Sequence, residues 1–307
     1  MNNNQRKVIG IGETVLDIIF KGGQPIGAFP GGSVFNAIVS LGRAGVSTTF
    51  ISETGNDRIG DQVVSFLRDN GVNADLVNRC PNGQSPVSLA FLDEHNNAEY
   101  LFYKDHPHDH VDFVYPDIQP DDIVIVGSFF AVNPAVRPQV MGLLDYAHNH
   151  GAIIYYDVNY RPAHKNDVMK ITPNLIENLE FADIVRGSRE DFETLYRKSD
   201  PDKVYTAEIS FVYTQGADPV VVRADGNFRR EYAVPETETV STIGAGDNFN
   251  AGLLYGLIRY GITKDQLDRG LAPEEWDKLV AYAQLFSNEC CKGIYNYVSK
   301  EFGEKLL

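Results

Sequence analysis

Short apolar runs alternate along most of this chain with amphipathic stretches of helix length, and that alternation narrows the possible folds more than any other feature. The spacing predicts strands over 8–12 and 48–52, a helix starting near Ser33, and a helix over 59–70 closed by Gly71. From Asp121 it predicts the strand IVIVG, a helix over 135–149, the strand AIIYYDV and a helix over 168–179. The strand ADIV, a helix from Ser188, the strands FVYT and PVVVRA, and long helices over 246–260 and 273–291 follow. Strands joined by crossover helices pair in parallel and are covered on both faces. The expected class is therefore α/β, with a mostly parallel sheet between two helical layers. Two stretches break the rhythm. IIFKGGQPIGAF reads as a hairpin turning at Lys21-Gly22-Gly23-Gln24, and SLAFLD with AEYLFYK reads as another turning at 94–97. Both are expected to leave the main sheet.

At 307 residues the chain can build one large α/β domain. Its formal net charge of −15, with no Lys/Arg cluster, argues against nucleic acid as a partner. It does not argue against a phosphate ligand, because backbone amides at a helix terminus act locally. No apolar run approaches membrane-spanning length, and the polar first seven residues lack the apolar core of a signal peptide. Cys80, Cys290 and Cys291 show no metal-ligand spacing and fit a reduced, cytoplasmic setting.

Five features follow predicted strands, where an open α/β sheet gathers its ligands. The strongest is Gly244-Ala245-Gly246-Asp247 at the head of the helix NFNAGLLYGLIRY. Its glycines allow a tight turn, and the amides of Gly244, Ala245 and Gly246 are expected to point outward as an anion site. Asp247 is placed to take a proton from an attacking hydroxyl. A plain turn with an acidic first-turn residue would read the same way. The others are Gly31-Gly32 with Asn36, Asp17 beyond the first strand, Asp157-x-Asn159-x-Arg161, and Ser188 with Glu190 and Asp191. Asn36 and Asp17 could meet hydroxyls, Arg161 an anion, and Glu190 or Asp191 a Mg²⁺ ion through water. Taken singly, each fits a solvated loop or a capped helix equally well.

Taken together, and in this order, they resemble the PfkB (ribokinase-like) carbohydrate kinases. Gly31-Gly32…Asn36-Ala37 looks like that family's first signature, and Thr242-Ile243-Gly244-Ala245-Gly246-Asp247 like its second. The resemblance implies a three-layer α/β/α domain spanning 1–307, with a small β-sheet lid from segments near 18–29 and 87–103, through which two copies could pair as a homodimer. It implies an ATP-dependent kinase whose partners are ATP and a small sugar, with no membrane or nucleic acid. Asp247 is implied as base, and the residues 244–246 as anion hole. The sugar side is implied to hold Asp17, Gly31, Gly32, Asn36, Phe102, Lys104 and Arg161. Ser188, Thr214, Gly216 and Asn288 resemble nucleotide-side positions. Ser241 stands where the family often has an Asp that helps to bind a monovalent cation, so activation by K⁺ stays open.

The Asp157-x-Asn159-x-Arg161 pattern resembles fructokinases and ketodeoxygluconate kinases more than ribokinase. With Lys104 where the acid-sugar enzymes tend to place an arginine, fructose is the expected substrate. Ketodeoxygluconate, ribose or a nucleoside are alternatives within the class, and a non-catalytic sugar sensor is an alternative outside it. A dinucleotide-binding dehydrogenase fits poorly, because Val15 stands where the third glycine belongs. His106, His108 and His110 alternate after the lid strand and read as a solvated loop.

Overall fold

Successive residues of a strand face opposite ways, so a sheet buried on both sides needs apolar residues at every position. A computed structural model, which describes residues 6–94, 98–103, 114–204, 209–224 and 226–307, shows this in the central strands. In chain order the strands are β1 (Lys7–Ile11), β2 (Val15–Lys21), β3 (Gln24–Gly31), β4 (Ser47–Gly55), β5 (Val72–Asn73), β6 (Val77–Cys80) and β7 (Val87–Leu92). They continue with β8 (Ala98–Tyr103), β9 (Ile123–Gly127), β10 (Ile153–Asp157), β11 (Ile184–Ser188), β12 (Ser210–Gln215), β13 (Asp218–Ala224) and β14 (Phe228–Tyr232). Ten of them form one sheet in the order β14-β13-β12-β11-β10-β9-β1-β4-β5, with β6 also paired to β4. Val8, Ile125, Ile153, Tyr155 and Val212 face one core, with the helices Ser33–Arg43, Ala245–Arg259 and Pro273–Cys291. Ile9, Val126, Ile154, Tyr156 and Phe211 face the other, with Arg137–Asn149, Val168–Phe181 and Arg189–Tyr196. The result is the three-layer α/β/α sandwich expected from the alternation.

Pairing is parallel from β5 through β12 and antiparallel in β12-β13-β14. The second sheet, β3-β2-β7-β8, is built from the two stretches that broke the rhythm. Lys21 pairs with Gln24 across Gly22 and Gly23, both at positive φ, so that hairpin turns where expected.

Several local expectations need correcting. The helix expected over 135–149 runs Arg137–Asn149, and a short helix that the spacing did not predict, Ser128–Val132, precedes it; the two are parted at Asn133-Pro134, where proline disfavours helical backbone in the residue before it. The strand β4 runs nine residues rather than five. The short strands β5 and β6 and the charged edge strand β14 carry too little apolar pattern to stand out. Among the described residues, no helix is long and apolar enough to cross a membrane.

Candidate active site

Strand order reverses at β1, which has β4 on one side and β9 on the other. Connections leave in opposite directions there, and a crevice opens beyond the carboxyl ends of the strands. A cavity of about 820 Å³ occupies it, walled by main-sheet loops and by the β8 strand of the small sheet.

The Gly244 turn forms one end. Gly244 has φ 76°, and a Cβ there would lie 2.6 Å from the carbonyl oxygen of Asn296. Only glycine meets both conditions. The Ala245 amide turns back to the Thr242 carbonyl at 3.2 Å. The amides of Gly244, Gly246 and Asp247 have no partner among the described residues. The open donors at this helix start thus centre on Gly246 and Asp247 rather than on Ala245.

Asp247 is 6% exposed, and its Oδ2 accepts from Asn36 Nδ2 at 2.8 Å. Burial pushes its carboxyl up to about 6, against the opposing pull of the Asn36 hydrogen bond and the Arg161 charge. Asp17 is equally buried and is also raised to about 6 by burial, with hydrogen bonds from Ser88 and Asn296 opposing. Its Oδ1 accepts from the Ser88 hydroxyl, and its Oδ2 from Asn296 Nδ2 at 2.9 Å. Gly32, at φ 132°, would carry a Cβ 2.3 Å from the Glu13 carbonyl oxygen, so the Gly31-Gly32 pair lets β3 close against the loop before β2. Asp17, Gly32, Asn36, Phe102, Arg161 and Asp247 all wall the cavity. Lys104 and the three histidines lie outside the described residues.

Arg161 follows β10 through Asn159, whose φ of 34° is uncommon for a non-glycine residue, and Ser128 after β9 has φ 55°. Both line the cavity. Arg161 reaches into it with Nη1 3.8 Å from Glu190 Oε2, an exposed pair. The two carboxylates after Ser188 have separate places. Asp191 is buried; its Oδ1 accepts from the Tyr160 amide at 2.8 Å, and its Oδ2 from the Ser188 amide and hydroxyl at 2.6 and 2.8 Å. This capping box leaves Glu190 as the carboxylate on the cavity wall.

Ser188, Thr214, Gly216 and Asn288 are not among the described residues of that wall. Ser188 and Thr214 pair across the parallel strands β11 and β12, so both lie at the carboxyl ends of those strands. Gly216 turns between β12 and β13 at φ 67°, and Asn288 lies half-buried on Pro273–Cys291.

Sequence reasoning missed four residues. Arg186, in the middle of apolar β11, donates to Asp157 Oδ1 at 3.0 Å and to Thr214 Oγ1 at 2.6 Å. Asn250 donates to Asp157 Oδ2 at 2.8 Å. Polar residues inside buried runs need partners, and that rule points to both. Ser88 and Asn296 carry no local signal; only the folded chain brings them to Asp17.

The chain matches the pfkB family carbohydrate kinases over residues 5–291. It is 26% identical over 250 residues to a 5-dehydro-2-deoxygluconokinase of Bacillus thuringiensis, covering 75% of this chain and 74% of that one. Its fold is similar to the crystal structure of fructokinase from Vibrio cholerae, bound to fructose, ADP and calcium ion, with a TM-score of 0.84 and 22% identity over 99% of each chain. It is also similar to aminoimidazole riboside kinase from Salmonella enterica, with a TM-score of 0.79 and 19% identity over 98% of each chain.

Proposed function

The chain belongs to the pfkB family of carbohydrate kinases, and from that premise we propose that it acts as one catalytic domain transferring the γ-phosphate of ATP to a primary hydroxyl of a small sugar, with Asp247 as general base. The observation that carries this reading is the buried Asp247 carboxylate at an open helix N-terminus, in the same cavity as Asp17 and Asn36. Asp247 takes the proton as the hydroxyl oxygen attacks the γ-phosphorus; the bond to ADP breaks, and the proton later leaves to solvent. The amides of Gly244, Gly246 and Asp247 face the oxygens of the group in transit. Asp17 and Asn36 orient sugar hydroxyls, and Phe102 with Tyr100, stacked at 5.8 Å, covers them from the small sheet. Closure of that sheet excludes water. Ser188, Thr214, Gly216 and Asn288 form the nucleotide side beyond β11 and β12.

Mg²⁺ would neutralise charge on the phosphates, and the exposed Glu190 suits a metal held through water. We take no monovalent cation to be required, because the groups around Ser241 already bond one another. The Ser241 hydroxyl accepts from the Ile243 amide at 3.2 Å, and the Cys290 thiol, kept neutral by burial, donates to the Ile243 and Tyr295 carbonyls at 3.4 and 3.5 Å. Phe91, Leu101 and Tyr103 alternate onto the side of the small sheet away from Phe102, and this partly exposed face supports a homodimer through the lid. The setting is the cytoplasm, where the three cysteines stay reduced.

Fructose is the proposed substrate, because carboxylates dominate the described cavity wall and Arg161 already faces Glu190. The second reading is 5-dehydro-2-deoxygluconate, favoured by the name of the curated relative and by Arg161 as a carboxylate partner. An ATP-consumption assay over fructose, ribose, 2-keto-3-deoxygluconate, 5-dehydro-2-deoxygluconate and adenosine, in K⁺ and in tetramethylammonium buffers, tests all of this. Fructose turnover equal in both buffers is expected. Turnover of an acid sugar alone replaces the substrate, turnover only in K⁺ refutes the cation reading, and silence in protein that binds ATP points to a sensor.

The raised carboxyl sets the pH dependence. Asp247 accepts a proton only when ionised, so kcat/KM should climb as pH rises through about 6 and level off above. A profile flat from pH 5 to 7 would remove Asp247 from the rate equation.

A further inference from the structure

Two buried amide oxygens in the cavity wall lack partners among the described residues. Asn36, 4% exposed, gives its Nδ2 to Asp247 and leaves Oδ1 unbonded; Asn296, 1% exposed, gives its Nδ2 to Asp17 and leaves Oδ1 unbonded. Their orientation follows from the contacts they make. Reversing either amide would set its oxygen against a carboxylate. A buried acceptor left without a donor is costly, and both side chains line the space where substrate would sit. We infer that Asn296 is a specificity-determining residue, whose Oδ1 accepts a hydrogen bond from a substrate hydroxyl beside Asp17, as Asn36 does beside Asp247. This rests on the sugar-kinase reading and adds a requirement to it: the substrate presents an O–H donor at each end of the carboxylate pair. Ether, carboxylate or phosphate oxygens, being acceptors only, cannot fill either place.

Asn296 is built for the task by its backbone as well. Its carbonyl oxygen accepts from Asn248 Nδ2 at 2.8 Å, and it packs against Gly244 closely enough to exclude a Cβ there. The loop after the helix Pro273–Cys291 is thereby pinned to the turn that carries Asp247. The hydroxyl read by Asn296 is held at a set distance from the base, which aligns the reacting hydroxyl.

The test is a cycle between enzyme variants and monodeoxy derivatives of the panel sugar turned over best or, where none is turned over, of the one that raises the melting temperature most. Asn296→Leu keeps the branched shape and removes the acceptor, together with the Nδ2 donor to Asp17; Asn296→Ala runs in parallel in case the leucine variant does not fold. Ser88→Ala is the control, because Ser88 is fully buried, bonds the same Asp17 and does not line the cavity. Wild type should lose about ten- to hundredfold in kcat/KM, mostly through KM, on one monodeoxy sugar. Asn296→Leu should show that loss with the parent sugar and no further loss with the derivative, whereas Ser88→Ala should lose the full factor on the derivative. Losses that multiply in Asn296→Leu as they do in Ser88→Ala would mean that Asn296 only props Asp17, and the inference falls while the kinase reading stands. The same cycle read as sugar-induced stabilisation in thermal melts without ATP separates the two claims. Coupling in the melts without turnover would overturn the kinase reading and keep Asn296.

Discussion

Asp247→Asn should lower kcat by about 10²- to 10⁴-fold, the range a general base contributes, while leaving ATP affinity nearly unchanged. The asparagine is isosteric, can still accept from Asn36 Nδ2, and keeps the backbone amides at the helix start. It cannot take the hydroxyl proton. The same substitution should make the protein more stable at pH 8. Burial raises this carboxyl from 3.8 to about 6, so the folded state holds the proton more tightly than the unfolded chain. Such a group favours folding below its unfolded value, and that contribution is lost as pH rises through the folded one. Above about 6 the wild type carries a desolvated charge that the asparagine lacks. A rise of that size corresponds to roughly 1–3 kcal/mol in favour of the variant at pH 8. The gap should close as pH falls from 6 towards 4, where the wild-type carboxyl is protonated. Near-normal turnover in Asp247→Asn would remove it as the base. A variant less stable than wild type at pH 8 would show that its charge supports the fold.

The architecture and one end of the site were legible in the residues because their causes are local. Alternating apolar strands and crossover helices dictate the parallel sheet. The two stretches that broke this rhythm became the small sheet, down to the Gly22-Gly23 turn. Gly244, at positive φ against a neighbouring backbone, is a constraint that only glycine meets. What stayed hidden depends on long-range contact. Glu190 and Asp191 are adjacent in sequence and could not be told apart, since the choice turns on the Tyr160 amide, about thirty residues away, that claims Asp191. Asn296 sits 279 positions from Asp17, with no motif around it. The expectation that the Ala245 amide would face outward failed for a geometric reason: the turn folds that donor back on Thr242. Of Asp157-x-Asn159-x-Arg161, Asn159 and Arg161 line the cavity, whereas Asp157 is fully buried and its oxygens bind Arg186 and Asn250.

That buried pair carries the largest expected effect on stability. Arg186→Met should cost about 3–5 kcal/mol, because removing one partner leaves the other charge buried and uncompensated. Asp157 is 0% exposed and sits 3.0 Å from the guanidinium, at the centre of β10, β11 and β12. Arg186 also holds Thr214 on the next strand at 2.6 Å. The double variant Arg186→Met/Asp157→Asn should recover more than half of the loss, since asparagine still accepts from Asn250 Nδ2 but brings no charge. Urea midpoints at constant slope measure both. Costs that simply add in the double variant would mean that lost packing, not the stranded carboxylate, is the cause. The pair also reaches the site. A Cβ on Gly246 would lie 2.9 Å from Arg186 Nη2, so the guanidinium is the floor on which the first turn of the Asp247 helix rests. Replacing that floor with a flexible thioether should lower kcat in the folded fraction even in the double variant, where stability returns. An ion pair kept only for stability would give back both together; one kept to fix the turn should give back only the first.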